Sequence, residues 1–301
     1  QLYVWGSGED GQLGMADKMT DQLSSNHVDT PTLATGDAAG KQFTAVAAGN
    51  DYTIAALADG GLLAAGRNDA TWQSLNAGVK FVQLSANGNN WAGVTEDGRL
   101  YTGDVGSSLS EAFQATTAGV KFTQVAASTN QNATGTFYGI ALADNGDVYN
   151  VNDFWKINKI NGLSGVKQIA AGAEQSYMAV DSNGDVWSWG WNGYGQLANG
   201  TTHNGRAYDD GGSEVNRENT PVKTEQKATG VSMGYQHSIL IGEKLTEWGY
   251  DAYGPTAGNG SKAADLLAND SNTADTAGVD LGLRGAGKAV DPTAVPVSPV
   301  S

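Results

Sequence analysis

A pattern of about forty residues recurs along the chain, and it constrains the fold more than any other feature. Each copy has a short apolar strand, then Gly or another small residue, then a second apolar strand that usually ends in a Gly turn. Aligning Val46, Leu84, Val125, Ile169 and Val231 gives spacings of 38, 41, 44 and 62 residues. Such a period, with about four short strands per unit, is typical of one β-propeller blade per repeat. We therefore predict an all-β propeller of about six blades, with seven as the alternative.

Local signals agree with strands and tight turns. Asp97-Gly98, Asn145-Gly146 and Asn183-Gly184 separate apolar runs, and such dipeptides close two-residue hairpins by taking positive φ. Residues 185–189 alternate between polar and apolar side chains, which is the period of a half-buried strand. No stretch of useful length has a helical period; the best candidate, residues 262–269, is short.

A third piece recurs after the Gly turn, at residues 2–14, 186–200 and 245–258. It reads Trp5-Gly6 followed by Gly11-Gln12-Leu13-Gly14, and Trp189-Gly190 followed by Gly195-Gln196-Leu197. In these motifs the chain resembles the regulator-of-chromosome-condensation repeat family, whose repeats form a β-propeller. The resemblance spans most of the chain and is specific for the fold rather than for a function.

The sequence does not contain a whole number of repeats. The sequence opens at the first strand of a repeat and stops at residues 291–297, which match residues 30–32 and 220–222 of other copies. The last repeat therefore lacks its small-residue strand pair, leaving five full units and about half of a sixth. We expect incomplete ring closure, with an open sheet edge that a partner or a neighbouring subunit covers.

We predict one domain over residues 1–301, with long loop insertions at about 15–40, 198–224 and 254–289. The insertions are rich in Asp, Asn, Gly and Thr. In propellers the blades are scaffold, and function commonly resides in such loops.

Charge and composition narrow the choice of partners. The formal net charge is −15, a sign that repels phosphate backbones and anionic membrane surfaces, so we predict no nucleic-acid partner. No run approaches the roughly 18 apolar residues that span a bilayer, so we predict no membrane insertion. There is no cysteine, which excludes disulfides and cysteine-based metal sites. The chain begins at Gln1, which suggests a processed N-terminus. We therefore expect an extracellular, cell-surface or virion-associated protein.

Motifs for catalysis are weak, and we predict no catalytic residue, cofactor or metal site. Residues 6–11 spell G-x-G-x-x-G, but no helical pattern follows, as a dinucleotide site would require. Residues 181–185 resemble the start of a calcium loop, yet position twelve is Asn192 rather than a bidentate Glu. His237 takes a slot that Tyr fills in other repeats and is assigned to packing. A hydrolase with two carboxylates that meet only in space stays an alternative.

The aromatic residues divide into two groups. Four tryptophans follow the strand pattern and are predicted to be core: Trp5, Trp187, Trp189 and Trp248. A second group falls in turns where the first repeat has Ser7 and Asp10, so blade packing does not demand aromatic rings there. These are the candidate partner-binding residues: Trp191, Tyr194, Tyr250 and Tyr253, with Trp72, Phe154 and Trp155 as weaker candidates. Such rings carry much of the energy of protein interfaces and sugar sites, although capping of the blade edges would also explain them.

The leading hypothesis is a non-catalytic binding or structural propeller that recognises a protein or glycan through these loop aromatics. It would also assemble with another subunit or partner through the open blade edge. One alternative is a secreted enzyme inhibitor, since the fold resembles a propeller-type β-lactamase inhibitor. Another is the namesake activity of the family, nucleotide exchange on a small GTPase, for which no exchange residue maps onto this chain.

Overall fold

The computed structural model describes residues 1–19, 26–76, 79–104, 113–115, 119–129, 137–152, 156–201, 217–243, 245–250 and 274–280. These residues form 22 strands and two short 3-10 helices, at Ala16–Lys18 and Gly36–Ala38, and none of them lies in an α-helix. Within this part of the chain no helix is long and apolar enough to cross a membrane. The prediction of an all-β fold is confirmed.

The strands form six antiparallel sheets, numbered in chain order. Sheet 1 contains two strands, β1 (Tyr3–Ser7) and β2 (His27–Leu33). Sheet 2 contains β3 (Phe43–Ala48), β4 (Tyr52–Leu57), β5 (Leu62–Gly66) and β6 (Gln73–Asn76). Sheet 3 contains β7 (Phe81–Asn87), β8 (Asn90–Thr95), β9 (Leu100–Asp104) and β10 (Phe113–Ala115).

The remaining sheets repeat the same four-stranded meander. Sheet 4 contains β11 (Phe122–Ser128), β12 (Tyr138–Ala143), β13 (Val148–Asn152) and β14 (Lys156–Lys159). Sheet 5 contains β15 (Val166–Ala171), β16 (Tyr177–Asp181), β17 (Asp185–Trp191) and β18 (Arg217–Lys227). Sheet 6 contains β19 (Gly230–Met233), β20 (His237–Ile241), β21 (Leu245–Tyr250) and β22 (Ala274–Asp280).

The sheets pack face to face, and their first strands contact one another in chain order. β3 contacts β7, β7 contacts β11, β11 contacts β15, and β15 contacts β19. Second strands such as β4 and β8 are buried along almost their whole length, because each lies between two neighbouring sheets. Small side chains such as Ala55 and Ala141 suit this position, since large ones on both faces would hold the sheets apart. This is the blade arrangement of a propeller.

Five buried clusters join consecutive sheets, from sheets 1 and 2 through to sheets 5 and 6. The cluster between sheets 2 and 3 contains Phe81, Trp91 and Tyr101, whose rings meet edge to face. The described part of the chain has no corresponding cluster between sheets 6 and 1. Buried side chains therefore join the six sheets in chain order.

Glutamine side chains hold neighbouring first strands together. Gln83 Nε2 donates to the carbonyl oxygen of Val125 at 2.9 Å, and Gln83 Oε1 accepts from the amide of Val125 at 2.8 Å. Gln168 makes the same pair of bonds with Val231, at 3.0 and 3.3 Å. Gln124 bonds the carbonyl of Lys167 and the amide of Ile169. Each glutamine clamp satisfies backbone groups that no strand reaches, because first strands lie at the inner edge of their sheets.

The turns between second and third strands differ from the prediction. Positive φ was expected at both residues of each dipeptide, but only the glycines adopt it, for example Gly98 with φ of 83°. The amide of Gly98 donates to the carbonyl of Thr95, and the amide of Thr95 donates to the carbonyl of Arg99. These bonds define a longer turn that ends in a glycine bulge, which also matches the twist of the strands.

The predicted tryptophan core is correct in part. Trp189 and Trp248 are buried, each 5% exposed, whereas Trp187 is partly exposed and donates its indole N–H to Asp181. Trp5 is 60% exposed, so its assignment to the core is wrong. In sheets 5 and 6 the tryptophan packs on the preceding sheet, and sheet 1 has no such neighbour among the described residues.

Each predicted insertion contains the fourth strand of its sheet. β2 and β22 lie within the segments assigned as loops, and β18 begins within one of them, because these outer strands are largely polar and give no apolar signal. β22 pairs with β21, with Thr246 opposite Asp280. The fourth strand of sheet 6 thus precedes residues 291–297, where the repeat alignment suggested that it would lie. Residues 291–297 and the helical candidate at 262–269 lie outside the described residues.

Candidate interaction surface

The topology brings one class of loop to one end of every sheet. Successive strands are antiparallel, so the turns from first to second strands and the connections from third to fourth strands emerge together; we call this the loop end. Backbone bonds join these segments between sheets: the amide of Asn68 donates to the carbonyl of Asp10, and the amide of Asn50 to that of Gly88. The amide of Ala173 donates to the carbonyl of Tyr235.

The connection after β17 begins as an ordered loop. Gln196 is fully buried, and its Oε1 accepts from the amide of Tyr194 at 3.0 Å. Asn192 is also buried; its Oδ1 accepts from the amide of Leu197, while its Nδ2 donates to Asn199 and Thr201. The recurring Gly-Gln-Leu motif therefore builds the loop from inside rather than binding a ligand.

The equivalent glutamine hydrogen bond forms in sheet 1. Gln12 Oε1 accepts from the amide of Asp10 at 2.9 Å, in the position that Gln196 and Tyr194 occupy in sheet 5. The loop forms there with Asp10 in the slot of Tyr194. The aromatic ring at position 194 is consequently not required for loop geometry.

Trp191 and Tyr194 form an aromatic pair on this scaffold. Their ring centroids lie 5.4 Å apart at an interplanar angle of 79°, an edge-to-face contact, and both side chains are partly exposed. The Trp191 ring lies over Gly193, where an added Cβ would sit 2.3 Å from Trp191 Cζ2. Glycine at 193 therefore makes room for the ring, and the pair presents a preformed apolar face.

Two further side chains lie at the loop end of sheets 5 and 6. Arg217 lies opposite Trp191 in the β17–β18 register, and its Nη2 donates to the carbonyl of Glu174 at 3.4 Å. Tyr235 is 55% exposed in the turn between β19 and β20, and its carbonyl is bonded to the turn that contains Glu174. We call Trp191, Tyr194, Arg217 and Tyr235 the aromatic surface.

The other predicted aromatic residues divide differently. Trp72 is buried, with 4% exposure, in the cluster between sheets 1 and 2, so its side chain is not presented to a partner. Tyr250 ends β21 in the slot that corresponds to Trp191, and the structure describes its backbone. Tyr253, Phe154 and Trp155 lie outside the described residues.

Two features of the loop end were missed from the sequence. Tyr235 occupies the slot of Asn50 in an earlier repeat, and this aromatic-for-polar replacement was the available signal. Arg67 Nη1 pairs with Asp51 Oδ2 at 3.0 Å, joining the two loops of sheet 2. Strained backbone also concentrates at this end: Arg67 and Asn68 adopt positive φ, as do Glu174 and Gln175.

His237 is a packing residue, as the repeat pattern predicted. Its ring lies over Gly234, just as the Tyr52 ring lies over Gly49 three residues earlier. Burial lowers the pKa of His237 below its ordinary value, because the charged imidazolium would lose hydration. The ring therefore stays neutral at physiological pH.

The two motifs set aside in the sequence have structural explanations. The residues after Gly11 form a turn followed by a single 3-10 turn, so the segment lacks the helix N-terminus that a dinucleotide site uses. Asp181 binds its own hairpin: its Oδ1 accepts from the amides of Asn183 and Asp185, and its Oδ2 from Trp187. Among the described residues, no three His, Asp or Glu side chains gather as metal ligands would.

Comparison with known proteins agrees with this architecture. Family models described as the regulator of chromosome condensation (RCC1) repeat match residues 1–56 and 183–241, and residues 166–196. The ultraviolet-B receptor UVR8 of Arabidopsis thaliana is 24% identical over 290 residues, covering 83% of this chain and 60% of the receptor. The human E3 ubiquitin-protein ligase HERC2 is 26% identical over 278 residues, covering 79% of this chain and 5% of the ligase.

Solved structures share the fold. Prp20p of Saccharomyces cerevisiae, studied for its binding to Gsp1p and histones, superposes with a TM-score of 0.62 at 18% identity over 82% of this chain and 66% of its own. Human WBSCR16 gives a TM-score of 0.60 at 18% identity, over 80% of this chain and 67% of its own. Models of the regulator of chromosome condensation (RCC1) repeat therefore match residues 1–56 and 166–241 of this chain, whose fold is a β-propeller.

Proposed function

We propose that this propeller is a non-catalytic binding protein that recognises a partner protein through the aromatic surface at its loop end. The observation that carries the proposal is the Trp191–Tyr194 pair, which is held partly exposed on a loop whose own geometry does not require it. Trp, Tyr and Arg are the residue types enriched among the side chains that dominate protein–protein binding energy. Arg217 and Tyr235 complete such a set across sheets 5 and 6.

The order of the loop supports recognition with little entropic cost. Buried Asn192 and Gln196 hold the backbone that carries the pair, and the edge-to-face contact restricts both rings. A rigid aromatic face loses less conformational freedom on binding than mobile side chains do. The chain's net charge of −15 favours a partner with a basic surface, because long-range attraction then speeds encounter.

A glycan is the second candidate ligand, because partly exposed Trp and Tyr rings also stack on sugar rings. An extracellular, cell-surface or virion-associated location, which we propose from the acidic, cysteine-free composition, suits either ligand.

The test compares the wild-type chain with the Trp191→Ala/Tyr194→Ala double variant as bait in affinity capture from native material, followed by mass spectrometry. Ile241→Ala is the matched control, because Ile241 is 41% exposed at the opposite end of β20. We expect the same protein to be captured by wild type and control and lost from the double variant, with melting temperatures within about 2 °C. Unchanged capture by a folded double variant would refute the proposed site, and capture by a glycan array alone would favour the sugar ligand.

A further inference from the structure

Sheets 2 to 5 carry large side chains at two equivalent positions near one end. One position is at the start of the first strand, and the other is near the start of the third strand. We call this end, from which the turns between second and third strands emerge, the turn end; it is opposite the loop end. The residues at the two positions are Phe43 and Leu63, Phe81 and Tyr101, Phe122 and Tyr149, and Val166 and Trp187.

These side chains pack at the interface with the preceding sheet, and every pair includes at least one aromatic ring. The rings of Phe81 and Tyr101 meet edge to face with their centroids 5.4 Å apart. The rings of Phe122 and Tyr149 meet in the same way at 5.6 Å. An aromatic ring is therefore what the chain places between two sheets at the turn end.

Sheet 6 carries small residues at both positions. Ala228 stands just before β19, where the equivalent residue of sheet 3 is Phe81. Thr246 lies on β21, where sheet 3 has Tyr101. These two positions therefore contribute no ring to the interface between sheets 5 and 6.

The strand register agrees with this alignment and shows one partial replacement. Val231 lies opposite Leu240 in sheet 6, just as Leu84 lies opposite Gly93 in sheet 3. In sheet 3 the ring of Phe81 covers Gly93, where an added Cβ would lie 2.6 Å from Phe81 Cδ1. Leu240, at 2% exposure, occupies part of the equivalent space in sheet 6.

A cleft of about 460 Å³ remains between sheets 5 and 6 at the turn end. Its apolar floor comes from Ala228 and Leu240, which are both buried. Polar side chains also line it: Asn183 and Gln226 contribute amides, and Thr246 contributes a hydroxyl group. A volume of this size, with an apolar floor and a few polar groups, is typical of a site for a small molecule.

The charged side chains described at the cleft balance one another. Lys227 lines it, donates to the carbonyl oxygen of Asn183 at 3.3 Å and pairs with Asp185. Asp185 also pairs with Lys223 at 2.8 Å, so one carboxylate and two ammonium groups leave a single positive charge. Glu243 lines the other side of the cleft and supplies a single negative charge. An uncharged ligand suits this balance, because a charged one would be attracted to one side and repelled by the other.

We propose that this cleft binds a small, uncharged aromatic molecule that carries a hydroxyl group. Its ring lies over Ala228 and beside Thr246, in the place that rings of the chain itself occupy in the interfaces before sheets 3 and 4. Its hydroxyl group bonds to the amide side chains of Asn183 and Gln226. The site is at the turn end and does not depend on the aromatic surface.

The experiment titrates the intact, isotope-labelled chain with phenol and with para-cresol and follows the backbone amide resonances. We expect shifts that saturate and that concentrate at Gly184, Ala228 and Gly242, which line the cleft. Cyclohexanol is the matched control ligand, because it keeps the hydroxyl group but is not planar. It should leave these amides unchanged at the concentrations that saturate the aromatic probes.

Thr246→Tyr restores the side chain that sheets 3 and 4 have at this position, and we expect it to weaken binding at least about 10-fold because its ring fills the cleft. Thr220→Tyr adds the same ring at an exposed position on β18 and should bind the probes as wild type does. Ala228→Phe/Leu240→Ala transfers the arrangement of sheet 3 and should also abolish binding, which tests the site if Thr246→Tyr does not fold.

Three results would overturn the proposal. Neither probe shifts the cleft amides up to its solubility limit, or both bind a folded Thr246→Tyr variant as tightly as wild type, or cyclohexanol binds equally well. An amidated Gly-Tyr-Gly peptide carries the same ring on a polypeptide, and we expect it to bind no more tightly than para-cresol. Tighter binding of the peptide would overturn the assignment to a small molecule in favour of a partner's side chain.

Discussion

Replacing Gln83 by Ala tests whether the glutamine clamps stabilise the propeller. The change removes both bonds to Val125, whose side chain is 2% exposed, and leaves its amide and carbonyl without their partner. Each net hydrogen bond contributes about 1 kcal/mol, and part of the desolvation penalty of the abandoned groups adds to the loss. Recovered side-chain entropy offsets about 1 kcal/mol of this. We expect the free energy of unfolding to fall by about 2 kcal/mol, or about 3 °C in melting temperature for a chain of this length.

The assay is urea unfolding followed by tryptophan fluorescence, with hydrogen exchange at Val125 as a local readout. Gln83→Met keeps the length of the side chain but neither bond, so it should lose nearly as much stability as Ala. Gln42→Ala, at an exposed glutamine just before β3, is the matched control and should change stability by less than about 0.5 kcal/mol. If Gln83→Met restores wild-type stability, packing rather than hydrogen bonding explains the clamp. If Gln83→Ala leaves both stability and Val125 exchange unchanged, the reasoning is wrong.

Two further predictions concern residues that occupy equivalent positions in different repeats. Trp189→Ala should lower the free energy of unfolding by about 3–5 kcal/mol, because it empties a buried site. Trp5→Ala, at the equivalent position of the first repeat, should lower it by less than about 1 kcal/mol. Equal losses in chemical unfolding would contradict the different exposure of the two rings. Burial lowers the pKa of His237 in the folded state. As the pH falls through about 6.5, the unfolded state therefore binds a proton before the folded state does, and the free energy of unfolding should decrease. His237→Tyr, which places the side chain of Tyr52 in this slot, should lose that component of the slope between pH 7.5 and 5.5, and an unchanged slope would refute the role of His237.

Repetition in the sequence predicted most of the fold. The spacing of small-residue hairpins and Trp-Gly motifs gave the strand order of each blade, because every blade solves the same packing problem with the same local pattern. Comparison of equivalent positions in the repeats also assigned His237 to packing and separated Trp191 and Tyr194 from the core. These inferences succeeded where neighbouring residues alone decide the conformation.

The environments of Trp5, Tyr235 and the glutamine clamps could not be predicted from the sequence, because they depend on residues of neighbouring sheets. Trp5 follows the same local pattern as Trp189, yet one is exposed and the other buried, since only the tertiary structure decides whether a preceding sheet is present. Gln83, Gln124 and Gln168 look like solvent-facing strand residues until the neighbouring first strand is in place. The amino-acid pattern alone determined what each blade is, because that information is local and repeated. Which side chains each blade buries depends on the neighbouring blade, and that follows only from contacts between residues about forty positions apart.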